Sequence, residues 1–337
     1  VQPGKLVASS SAPPRADRAL PGPSSGSGSA AGKTDATADS PAPYQRDRRR
    51  QRRREAISGL LFVLPTLVIF GLFKFLPIAG AAAMSLTEYR LNGDVTFLGA
   101  DNYTRLATDP NFWQSLRVTI AYVLIFVPLI IVVSLAGAVL LDKLVRYAGA
   151  FRSLLFIPYL SSFVMAGIIW TWIFSTDGPV NAALAGIGAG KVPFVSGHQL
   201  LVLASLAAVS VWKGFGYSML IFLAGLKSQP AEVHEAARID GAGPWKAFWH
   251  VTLPLLKPVT FFVLVIETIV GFQVFDTIYV MTGGGPNRAS HSLIYFLYDE
   301  GFKFFDFGYA AAIGVVLFFI VLVLSLGQQR LVERNET

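Results

Sequence analysis

Three ionisable side chains interrupt long apolar runs: Lys213 within Leu200–Leu226, and Glu267 and Asp276 within Phe261–Met281. A charge stranded in lipid is costly, so such a residue is expected to meet solute or to bond a neighbouring helix. For Glu267, about a third of the way into its run, both readings stand. Near Lys213 the chain offers Trp212, Gly214 and Tyr217, with Gly214 expected to leave space one helical turn from Tyr217. Aromatic faces beside hydroxyl-directed polar groups suit a carbohydrate held in a cavity. Gln273 and Asp276 add polar groups to the second run, whereas Phe272 reads as packing. Lys74 stands near the end of its run and is expected to snorkel to the interface.

Covalent chemistry has little material to work with. The chain has no cysteine, and none of its four histidines (His198, His234, His250, His291) pairs at i, i+4 with another. No thiolate, disulfide or zinc site is therefore expected. The nearest approach to a phosphate loop, Gly186–Val192, has the wrong spacing and no hydroxyl. No catalytic residue and no metal site are assigned. The chain reads as a non-enzyme, with any ATP and Mg bound elsewhere.

The elements that position these residues are membrane spans. Charged residues make up only 15% of the chain, against about 25% for a soluble domain, and mean hydropathy is +0.53. Six apolar runs approach or exceed the roughly 20 helical residues that cross a bilayer core. They are Ile57–Leu76, Val118–Leu141, Leu154–Phe174, Leu200–Leu226, Phe261–Met281 and Tyr309–Leu326. Continuous runs fit helices rather than a barrel's alternation. With both termini cytoplasmic, sixteen Lys and Arg lie inside and six outside. Seven of the nine residues Arg46–Arg54 are arginine, without interleaved aromatics, which favours a membrane anchor over a nucleic-acid site. The expected organisation is a disordered cytoplasmic tail (1–45), a basic juxtamembrane segment (46–56), a six-helix transmembrane domain (57–330) and a cytoplasmic end (331–337). The tail is rich in Pro, Ser, Gly and Ala and cannot bury a core.

This orientation makes residues 227–258 a cytoplasmic loop. Ser228 or Gln229 is expected to cap a helix with Pro230 in its first turn. The helix should run to about Asp240, ended by Gly241 and Gly243. Pro244 should start a second short helix that stops before Pro254.

The loop's spacing is Glu235-Ala236-Ala237, three residues, Gly241, nine residues, then Val251-Thr252-Leu253-Pro254. It closely resembles the EAA loop of ABC importer permeases, with valine in place of the family's isoleucine. Phe97–Tyr103, Arg152–Pro158 with Trp170-Thr171-Trp172, and Thr282–Pro286 are similar to segments of the sugar branch. The resemblance covers roughly residues 56–330. It implies an all-α membrane protein with the type I permease fold, six transmembrane helices and a cytoplasmic coupling loop. Glu235, Ala236, Ala237, Gly241, Val251, Leu253 and Pro254 would then dock in a groove of an ATPase. It further implies a second homologous permease, an ATPase dimer binding ATP and Mg, an extracytoplasmic solute-binding protein, and plasma-membrane location. Counting back from the loop, Lys213, Gly214 and Tyr217 fall where maltose permease contacts its sugar, with Lys213 replacing an apolar residue. The implied solute is a di- or oligosaccharide, or a phosphorylated polyol such as glycerol 3-phosphate. An ion-coupled secondary transporter or a membrane scaffold would also show spans and buried charges, but neither needs the loop.

Overall fold

Helix α1 (Pro43–Phe70) runs through a π turn, Gly71–Phe75, into α2 (Leu76–Met84). These helices belong to a computed structural model that describes residues 43–89, 93, 95–144 and 148–333, with side chains described between 54 and 330. Most of the expected tail, the arginine side chains up to Arg53 and residues 334–337 lie outside the described residues. The packing that follows is that of the unit beginning at Thr66.

A two-residue antiparallel pair, β1 (Thr87–Glu88) and β2 (Thr96–Phe97), departs from the expected all-helical chain. Asn102 holds the turn before it, donating from Nδ2 to the carbonyls of Ser85 and Thr87. Then come α3 (Asp101–Thr108), α4 (Pro110–Asp142), α5 (Ala148–Leu160), α6 (Phe163–Ile173), α7 (Pro179–Gly186) and α8 (Gln199–Lys227). The chain continues with α9 (Ala231–Ile239), α10 (Pro244–Ala247), a π turn (Phe248–Thr252), α11 (Leu253–Leu255) and α12 (Lys257–Phe272). It closes with α13 (Asp276–Met281), α14 (Leu293–Tyr298), a π turn (Asp299–Lys303) and α15 (Phe307–Glu333).

Among the described residues, four helices are long and apolar enough to cross a membrane: Arg54–Met84, Pro110–Asp142, Gln199–Lys227 and Phe307–Arg330. The third expected span is not straight. Helices α5 and α6 meet at 93° across Ser161 and Ser162. Serine pairs are a known place for helices to break, because their hydroxyls compete for backbone partners. Here the Ser161 hydroxyl donates to the Pro158 carbonyl. The fifth expected span is broken too, between Phe272 and Asp276.

Two expected ends are also passed, each at a proline. The expected end at Leu76 is passed, and the helix continues through Pro77. The second loop helix does not stop before Pro254 but runs to Leu255, then bends by 65° into α12. Each proline stands two residues after a π turn, where Leu76 and Leu253 donate five residues back to Gly71 and Phe248. The extra residue shifts the ladder, so the ring no longer displaces an established i−4 bond.

Helix α8 is the central post, and its broadest contact is with α4. Apolar association gains little in lipid, so small residues that let helices approach matter. Ser134 and Ala138 of α4 are fully buried, and the Ser134 hydroxyl donates to the Phe215 carbonyl. Met219 and Phe222 of α8 fill the space beside them. Across its other face α8 passes the backbone of α5 at Gly216. A Cβ there would collide with the Leu155 carbonyl oxygen and stand 3.1 Å from Phe156 Cα. Glycine permits that crossing.

Candidate functional site

The mid-span residues fall on two flanks of α8. On one flank, Glu267 of α12 is buried and accepts a hydrogen bond from the Ser218 hydroxyl. It is therefore bonded to a neighbouring helix. On the other flank, Tyr217 is half-buried and stacks on Tyr159 of α5, with centroids 5.2 Å apart and planes 13° from parallel. Between Tyr217 and Lys213, Gly214 does not open the expected space. A methyl group there would stand 3.1 Å from Ile130 Cδ1 of α4.

Lys213 is buried, and its ammonium is fully engaged. Nζ donates to the carbonyls of Pro158 and Tyr159 at 3.2 Å each and of Ser161 at 2.5 Å. It also stands 4.2 Å from the Phe163 ring centroid. These partners are the last turn of α5, the break at Ser161 and the first residue of α6. Asp276 is exposed at the start of α13. Gln273 is exposed in the break between α12 and α13. Phe272 is buried in the apolar core. Tyr159, Ser161 and Phe163 were not foreseen as partners. The signal available for them was Pro158 followed by the Ser161-Ser162 pair.

The loop after α8 is a stitched pair of helical pieces. The helix α9 starts at Ala231 with Pro230 as its N-cap, so neither Ser228 nor Gln229 caps it. Ser228 instead donates to the Gly225 carbonyl, closing α8. Gln229 donates to the Thr252 carbonyl at 3.0 Å and meets His234 Nε2 at 2.8 Å, which ties the loop's entry to its exit. At the end of α9, Gly241 has φ +75°. Its N–H donates to the Arg238 carbonyl, and the Ala242 N–H donates to that of Ala237. This pair of bonds is the Schellman closure. Glu235, Ala236, Gly241 and Pro254 are exposed, while Ala237, Val251 and Leu253 are half-buried. Trp245 and Trp249 add exposed aromatic surface beside them.

A further cluster was not read from the sequence. His291 Nδ1 lies 3.1 Å from the Ser115 hydroxyl and 3.2 Å from Arg288, and Nε2 lies 2.9 Å from Asp299. These partners fit a neutral ring that donates from Nε2 to Asp299. Burial pushes its pKa below the ordinary value, although Asp299 acts against the shift. A Ser–His–Asp order could suggest a nucleophile, but Ser115 is 0% exposed and no substrate reaches it. The cluster instead fastens the Gly-rich turn Thr282–Pro286 and its left-handed neighbours Asn287 and Arg288 to α4. Nearby, Arg105 of α3 donates to Asp306 at 2.7 Å and lies 3.7 Å above the Tyr309 ring.

Residues 145–336 match the family described as binding-protein-dependent transport system inner membrane component. The chain is 38% identical over 270 residues to the arabinooligosaccharides transport system permease protein AraP of Bacillus subtilis (strain 168), covering 79% of this chain and 85% of that protein. It is 35% identical over 282 residues to the sn-glycerol-3-phosphate transport system permease protein UgpA of Agrobacterium fabrum, covering 82% and 94%. It shares the fold of a chain in the crystal structure of a bacterial alginate ABC transporter in complex with an alginate pentasaccharide-bound periplasmic protein. That match has a TM-score of 0.72 at 22% identity and covers 84% of this chain and 96% of that one.

Proposed function

The chain belongs to the family of inner membrane components of binding-protein-dependent transport systems, and from that premise we propose that it forms the solute path of an ATP-driven carbohydrate importer. A second homologous permease completes the path, and an extracytoplasmic binding protein delivers solute to it. A cytoplasmic ATPase dimer, which binds the ATP and Mg, drives alternating access. In this reading the two bent helix pairs complete six spans, both termini are cytoplasmic, and this chain does no covalent chemistry. Relatives named for sugar transport support the solute class.

The observation that carries the reading is the stitched loop after α8. It presents Glu235 and Ala236 on an exposed face, closed at Gly241 and tied across its base by Gln229. A rigid knob of this kind can pass a partner's closure to the spans it joins, α8 and α12. Glu235 has no ion-pair partner among the described residues, which leaves it free for a cation of the ATPase.

The solute is a neutral di- or oligosaccharide. Tyr217 and Tyr159 offer aromatic faces, while the cation that would select a phosphate is occupied by three carbonyls. A second reading, glycerol 3-phosphate, is favoured by the relation to UgpA. Uptake into vesicles holding the complete complex with its binding protein decides between them, with labelled arabino-oligosaccharide and sn-glycerol 3-phosphate supplied in turn. ATP-dependent uptake of the saccharide is expected. Uptake driven by an ion gradient without ATP would transfer the chain to the secondary transporters, and uptake of the phosphate alone would establish the second reading.

A further inference from the structure

Helix α5 ends at the 93° break from α6, and its last carbonyls face the buried Lys213 of α8. Unpaired carbonyls and an unpaired ammonium are each expensive there. Lys213 and the end of α5 satisfy one another. Its three donors meet Pro158, Tyr159 and Ser161, the negative end of the α5 dipole lies at the cation, and the Phe163 ring covers it from the first residue of α6.

We propose that Lys213 is a positioning residue: a clasp by which the continuous post α8 holds the 93° break between α5 and α6 and so sets the attitude of the two half-helices during transport. The neighbouring contacts support this assignment. Three residues further along α8, Gly216 lies against the α5 backbone, so the post and the first half-helix cannot slide without opening the clasp. Three residues the other way, Ser210 Oγ is 3.4 Å from Thr277 Oγ1 of α13, beyond the break in the fifth span. Both discontinuities therefore abut α8 within about two helical turns. A pivot of α6 against α5 costs the clasp its Phe163 ring contact and strains the bond at Ser161, while the bonds to Pro158 and Tyr159 keep α5 fixed to the post.

This inference rests on the importer reading for its kinetic arm only. Because the chain has no cysteine, Ile157→Cys with Ile169→Cys places spin labels on exposed positions either side of the bend. The complete complex in lipid nanodiscs, without solute, should give a narrow distance distribution. Lys213→Met should broaden or displace it, and Lys213→Arg should restore it. In vesicles, Lys213→Met should lower maximal uptake about tenfold with KM changed less than about twofold, the pattern of a group that does not touch solute. If Lys213→Met fails to accumulate, Lys213→Gln carries the same comparison, with a smaller expected loss. An unchanged distance distribution overturns the clasp, and so does a raised KM with an unchanged maximal rate, which would place Lys213 on the solute. Absence of ATP-driven uptake by the unsubstituted complex overturns the importer reading and leaves the distance measurement standing.

Discussion

Gly241 allows backbone geometry to be separated from crowding at the knob. Its φ of +75° lies in the left-handed region, yet a Cβ built there meets nothing within 4 Å. A substitution is therefore opposed by conformation alone. For an ordinary L-residue the left-handed state costs roughly 1–2 kcal/mol, a 5- to 30-fold loss in the population of the closed turn. Asparagine visits that region readily, whereas a β-branched residue does so least. Gly241→Asn should thus retain most ATPase binding, Gly241→Ala less, and Gly241→Val least, although a Cβ meets nothing there. The assay is the ATPase recovered with the solubilised permease, read beside ATP-driven uptake. Full recovery and uptake in Gly241→Val, or an equal failure of Gly241→Asn and Gly241→Val, would refute the reasoning, because neither outcome follows from φ.

Elsewhere the structure makes separate demands. Ser218→Ala leaves the Glu267 carboxyl without its α8 donor and should cost about 1–3 kcal/mol of stability, seen as a lower melting temperature in detergent; an unchanged melting temperature would remove the bond's structural role. His291 titrates with a depressed pKa in the folded state, so the unfolded chain takes up the proton first as pH falls. Stability should therefore hold above the ordinary value of 6.5 and decline as pH drops below it towards the folded pKa. In melting curves recorded across that range, His291→Gln should flatten the decline, and an equal slope in both proteins would assign it to other groups.

What was legible in the sequence was what neighbouring residues decide among themselves. The long apolar runs and the position of the loop follow from local composition, and Gly241 stands where a helix needs a left-handed residue. The breaks and continuations were not legible, because distant or unseen partners set them. Ser161 and Ser162 stand at a break whose exposed carbonyls are met by Lys213, some fifty residues later. Pro77 and Pro254 are stop signals by local rules, overridden by π turns whose sequences, Gly71–Phe75 and Phe248–Thr252, carry no mark of them. Gly214 looked like an opening because nothing in its own helix shows that Ile130 of α4 fills it. The polar residues of the spans could be named from the sequence, but the partners that use up their donors could not.

The π turn at Phe248–Thr252 also sets phase. One residue more than an α-helix needs at that point advances everything beyond it by about 100° around the axis. The loop's exposed face and the buried face of α12 are thus kept in angular register by a single inserted position. Deleting one residue from that turn would preserve length, composition and hydropathy almost unchanged, yet it would rotate one face against the other. Because that turn lies within the nine-residue spacing and the Val251–Pro254 segment that follow Gly241, the spacing of the motif and this angular register change together. A change of gearing of this kind could arise in one mutational step.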